Sequence, residues 1–145
     1  MEFAIIERIG KQSYFSGPNN SYYLMFLSKV FTDDLVNRVI ERLSKADFRG
    51  FAGNITTVRP GTNNDKVEIG DVYWYEYDTE PIEIDKQELL RVAKEGLSLM
   101  EKDVAYIVLT RKDEKAPITI TDQLPQGMEL YTEHKQLKYR FKNEK

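Results

Sequence analysis

The sequence has no cysteine, a single histidine and a single tryptophan. The missing cysteines exclude disulfide frameworks, thiolate nucleophiles, Cys-ligated zinc and iron–sulfur clusters. One histidine excludes any site that needs two. His134 lies in the polar stretch Thr132-Glu133-His134-Lys135, where a solvated surface position is expected. Apolar runs are short, and none approaches the roughly 20 residues of a membrane-spanning helix. The opening residues Met1–Arg8 lack the basic and apolar regions of a secretory leader. A cytoplasmic protein without membrane contact is the expectation. No G-x-S-x-G is present, and Gly50, Gly53 and Gly61 do not form G-x-G-x-x-G. Gly10-Lys11-Gln12-Ser13 has neither the upstream glycine nor the following helix of a phosphate loop. The sequence thus points to no catalytic residue, no cofactor-binding residue and no metal ligand. Excess positive charge is also lacking: 21 Lys+Arg face 24 Asp+Glu, a net charge of −3, which does not favour nucleic acid as a partner.

What is present describes one domain over residues 1–145. Hydrophobic residues make up 41% and charged residues 31%, and the chain is long enough to bury a core without staples. Phe3–Ile9 reads as a strand ended by Gly10. The apolar run Ser21–Val30 reads as a buried central strand, although periodicity alone does not separate it from a short buried helix. Thr32 as N-cap, Asp33 and Asp34 in a first turn, and Leu35, Val39 and Leu43 at four-residue spacing predict a helix over 33–46. A strand is expected near 51–59, then a hairpin turning at Gly70-Asp71, then a short strand at Ile82–Ile84. Asp85 with Glu88 resembles a capping box opening a second helix. That helix carries the stripe Leu89, Ala93 and Leu97, and Gly96 within it would admit a close neighbour. Val104–Thr110, Ile118–Thr121 and Lys135–Lys142 read as further strands, the middle one edge-like. The expected class is α+β: a mainly antiparallel sheet of about five to seven strands with two amphipathic helices on one face.

Tyr73-Trp74-Tyr75, with Tyr77, is the most unusual local feature. One face of such a strand lines a core, or the rings form a partner-binding surface, since Tyr and Trp dominate interface hot spots. Asp71, Glu76, Asp78 and Glu80 flank the rings, and this charge disfavours base stacking on a nucleic acid. The charge is unevenly spread. Residues 1–64 carry net +2, residues 65–103 net −7 and residues 104–145 net +2. Between 65 and 90 there are 9 acidic residues and 2 basic ones, beside the aromatic run. An acidic patch of this kind complements a basic partner and accelerates its association. The expected partner-binding residues are Asp71, Tyr73, Trp74, Tyr75, Glu76, Tyr77, Asp78, Glu80 and Glu83.

In size, acidic patch and absence of a catalytic motif, the chain resembles the immunity proteins that bacteria make against polymorphic toxins of the contact-dependent and type VII-secreted kinds. That resemblance implies a non-enzymatic module whose partner is a basic, nuclease-type toxin domain, bound across Asp71–Glu88. Two other classes stand beside it. One is a hydrolase using Glu76, Asp78 or Glu80, with or without a divalent metal. The other is an accessory subunit that oligomerises through the edge strand Ile118–Thr121. The sequence leaves the oligomeric state open.

Overall fold

A computed structural model describes residues 1–15, 20–72 and 79–142 of the chain. The chain order is β1 (Glu2–Ile9), β2 (Gln12–Phe15), α1 (Tyr22–Thr32), α2 (Val36–Leu43), β3 (Phe51–Ala52), β4 (Thr56–Pro60), β5 (Lys66–Asp71), β6 (Ile82–Asp85), α3 (Lys86–Glu101), β7 (Tyr106–Arg111), β8 (Thr119–Thr121), β9 (Met128–Glu133) and β10 (Gln136–Phe141). The class is α+β with antiparallel pairing, as expected. The strands fall into a sheet ordered β2-β1-β7-β8, a second ordered β3-β4-β5-β6, and the hairpin β9-β10. None of the described helices is long and apolar enough to cross a membrane.

The run from Tyr22 to Val30 is a helix, not a strand. Ser21 is its N-cap, and its hydroxyl accepts from the Leu24 N–H at 3.1 Å. The helix lacks a polar face because it packs against both four-stranded sheets, which bury Leu24, Phe26, Leu27, Val30 and Phe31. A helix covered over most of its circumference shows only a weak amphipathic stripe, so its sequence reads like a buried strand. The next helix also starts later than Thr32 suggests. Asp33 closes α1 through its N–H to the Lys29 carbonyl, Asp34 takes a left-handed φ of 56°, and α2 begins at Val36.

Gly70 does not turn the chain. β5 runs straight through it, pairing Gly70 with Thr57 and Asp71 with Thr56 of β4. A Cβ at Gly70 would lie 3.2 Å from Thr57 Oγ1 and 3.3 Å from Pro81 Cβ, so the glycine serves a close approach. Gly96 does the same in α3: a Cβ there would sit 2.2 Å from Phe31 Cε1. The capping box at Asp85 does not form. Asp85 makes no side-chain cap bond and pairs with Lys66 at 2.6 Å. Glu88 instead accepts from the Ile118 N–H at 2.9 Å, while Arg91 donates to the Ile118 carbonyl. The two side chains grip both backbone groups of the residue that leads into β8.

One core joins the inner faces of both sheets to the three helices. Ala4 and Ile6 of β1, Ile107 and Leu109 of β7, and Val58, Val67, Ile69, Ile82 and Ile84 of the second sheet all enter it. On the opposite face of the first sheet, Phe3, Ile5 and Val108 meet Met128 and Tyr139 of the β9-β10 hairpin, with Phe3 edge-on to Phe141 at 5.4 Å. β1 and β7 are covered on both faces, and this accounts for their unbroken apolar runs. The hairpin turns at His134 and Lys135, whose φ of 51° and 64° are the left-handed values a two-residue turn needs.

Candidate functional site

Two clefts share a wall where the start of α1 meets the ends of β6 and β7. The larger, of about 560 Å³, is lined by Glu2, Tyr22, Glu80, Pro81 and Glu114 among others. The smaller, of about 280 Å³, is lined by Asp85, Glu88, Lys115 and Pro117 among others. Tyr23, Arg111 and Glu114 belong to both, so the pair forms one groove with a waist.

The waist is rigid. Arg111 lies directly opposite Glu2 across the β1–β7 ladder. Its Nε donates to Glu2 Oε2 at 2.7 Å and its Nη2 to Oε1 at 3.1 Å. The guanidinium also lies 4.0 Å from the centre of the Tyr23 ring, a cation–π stack. The Ser21 hydroxyl donates to Glu2 Oε1 at 2.6 Å, which ties the cap of α1 to the same ion pair. The Arg111 hydrogen bond holds the Glu2 carboxyl below its ordinary pKa of 4.5; partial burial opposes this and the Ser21 bond adds to it. Burial pushes the Tyr23 phenol up to about 12. The Tyr23 hydroxyl donates to the Glu83 carbonyl at 3.2 Å. That of Tyr22 donates to the Glu80 carbonyl at 2.6 Å and accepts from the Glu80 N–H at 3.0 Å. Two adjacent tyrosines thus fix the entry to β6.

The expected partner-binding residues separate into groups. Tyr73, Trp74, Tyr75, Glu76, Tyr77 and Asp78 lie outside the described residues. Asp71 pairs with Lys29 of α1 at 3.6 Å, with both side chains largely covered. Glu83 accepts from the Thr62 N–H at 2.9 Å and its hydroxyl at 3.0 Å, bracing the β4–β5 loop. Glu80 alone of the three lines the groove. Much of the local negative charge is answered by cations from elsewhere: Glu68 by Arg59, Asp85 by Lys66, Glu88 by Arg91 and Glu2 by Arg111. The Asp85 bond raises the Lys66 ammonium above its ordinary pKa. Glu80 and Glu114 have no ion pair among the described residues, and Tyr22 stands 49% exposed in the same cleft.

Glu2, Tyr22, Tyr23, Arg111 and Glu114 are groove residues that sequence reasoning passed over. The only available signal was Arg111 as a charge closing the apolar strand Val104–Thr110; its partner lies 109 positions away. No group of three or more acidic or histidine side chains that could hold a metal occurs among the described residues. His134 is exposed at the tip of the β9-β10 hairpin, 3.9 Å from Glu133.

Comparison with protein-family models, with curated proteins and with solved structures finds no match to this chain.

Proposed function

We propose that the chain is a non-enzymatic module that binds a basic protein in the groove at the start of α1, and that it does so in the cytoplasm. One observation carries the reading: Glu80 and Glu114 are without ion pairs among the described residues and line one cleft with the exposed ring of Tyr22. A lysine or arginine side chain entering there meets two carboxylates at its charged end and an aromatic face along its stem. The waist of Arg111 and Tyr23 gives the groove fixed walls, so little ordering cost falls on binding. The resemblance to immunity proteins specifies the partner further, as a basic toxin domain. Glu80 is also the sequence neighbour of the aromatic run Tyr73–Tyr77, the other element expected at such a surface.

Affinity capture from cells that make the protein tests this, with wild type and an E80K/E114K variant run in parallel. A basic protein retained by wild type, released at high salt and absent with the variant supports the reading. Equal retention by the variant overturns it.

A further inference from the structure

A second cleft, sharing no residue with the groove, carries the opposite charge. It has a volume of about 200 Å³ and lies where α2 ends and the chain turns toward β3. Arg42, Lys45 and Arg49 line it, with Phe48 and with Asp47 as its one carboxylate. Among the described residues, every other arginine side chain is engaged. Arg8 donates to Ser13, Arg38 to the Ala52 carbonyl, Arg59 to Glu68, Arg91 to Glu88, Arg111 to Glu2 and Arg140 to Glu129. Among the described residues Arg42 and Arg49 have no side-chain hydrogen bond, ion pair or ring contact, and both line this cleft.

The cleft is held in shape. Lys45 follows the Ser44 cap of α2 and donates its N–H to the Arg42 carbonyl at 3.2 Å, while its ammonium pairs with Glu41 at 3.6 Å. Arg49 precedes a glycine packed closely on β4. Gly50 has φ +104°, and a Cβ there would lie 2.9 Å from the Val58 carbonyl oxygen, so the turn sits tightly on β4. Phe48 is packed edge-on against Phe51 at 6.2 Å and carries the Lys86 ammonium 5.7 Å from its ring centre. Cations in the last turn of a helix also balance its dipole. That accounts for Arg42 and not for Arg49, which lies outside the helix.

We infer that this cleft binds a phosphate group, free or carried by a small molecule. Two unengaged guanidinium forks, beside an ammonium shared with Glu41, supply more donors than a carboxylate can accept, and they match the oxygens and double charge of a phosphate. The Phe48 ring offers an apolar wall to whatever the phosphate carries.

The test is titration of the whole chain, followed by amide NMR, with inorganic phosphate against sodium chloride at matched ionic strength. Saturable shifts confined to residues around Arg42, Arg49 and Gly50 are expected, and R42Q/R49Q should weaken them about tenfold or more. Asp47→Asn, which removes a carboxylate lining the cleft, should tighten binding. A parallel titration with glycerol phosphate separates the sources: tighter binding than phosphate assigns a phosphorylated small molecule, and weaker binding assigns the free ion. Shifts that chloride reproduces, or that survive R42Q/R49Q unchanged, overturn the inference.

Discussion

Glu2 and Arg111 sit opposite one another across the β1–β7 ladder and close a two-bond ion pair, 2.7 and 3.1 Å, between strands 109 residues apart. The Arg111 side chain is 8% exposed and that of Glu2 25%, so both charges are largely withdrawn from water. Removing one leaves the other uncompensated. Arg111→Ala is expected to cost about 2–4 kcal/mol, measured by urea denaturation at neutral pH. The bond should also shape acid stability. Glu2 has a depressed folded pKa, so its contribution is complete above its unfolded value of 4.5 and is lost as pH falls through the lower folded value. The gap between wild type and Arg111→Ala should therefore narrow on acidification below that point. A gap that is constant down to strong acid would assign the loss to packing alone.

Tyr23 sets the opposite, alkaline edge. Its phenol is raised from 10.0 to about 12 by burial, so the folded state keeps a proton that the unfolded chain releases first. Stability from this group is complete below pH 10 and is lost as pH rises toward the folded value. Tyr23→Phe removes the hydroxyl bond to the Glu83 carbonyl, at about 0.5–1.5 kcal/mol at neutral pH. It also removes this alkaline loss. Denaturation series at increasing alkaline pH should show the variant closing on wild type, and a tyrosinate absorbance step near pH 12 should disappear.

Gly96 is the position where helix propensity and packing disagree. Alanine in a helix interior is favoured over glycine by about 1 kcal/mol. Here the added methyl would meet Phe31 Cε1 at 2.2 Å and Cζ at 2.5 Å, and that ring is fully buried. Overpacking of a close-packed core costs about 1–3 kcal/mol, which exceeds the propensity gain. Gly96→Ala should lower the melting temperature. Adding Phe31→Leu should recover part of the loss, giving a non-additive double-mutant cycle. Additive losses would show that the ring moves aside freely.

Where the sequence was legible, a single physical pattern dominated. The apolar runs of β1 and β7, the turn at Gly10, the edge position of β8 and the close approach at Gly96 all follow from local composition. The reading failed where tertiary partners decide. α1 looks like a strand because both four-stranded sheets cover it. Gly70 looks like a turn because its contact with Thr57 and Pro81 is invisible in sequence. The pairing of individual acidic side chains is equally invisible in sequence. A count along the chain sees Asp71, Glu83 and Asp85 as surplus charge, whereas folding brings Lys29, Thr62 and Lys66 to them. Glu80 keeps the expected character because no cation among the described residues reaches it.

Asp33 offers the last test, because its role reverses the sequence expectation. It reads as a first-turn carboxylate favouring a helix dipole, yet it lies at the end of α1 and reaches the loop before β4. Its carboxylate accepts from the N–H groups of Asn54, Ile55 and Thr56 at 3.2, 3.1 and 3.0 Å. A Cβ at Gly53 would lie 2.3 Å from Asp33 Oδ2, so the loop backbone is drawn tightly onto the carboxylate. Three consecutive amides depend on one side chain for their acceptor. Asp33→Ala leaves them to find water in a partly covered loop, at an expected cost of about 1–3 kcal/mol. Hydrogen exchange locates the effect: the amides of residues 54–56 should lose protection well beyond the global change, while those of β7 follow global stability. Uniform acceleration across both would show that Asp33 acts on α1 and not on the loop.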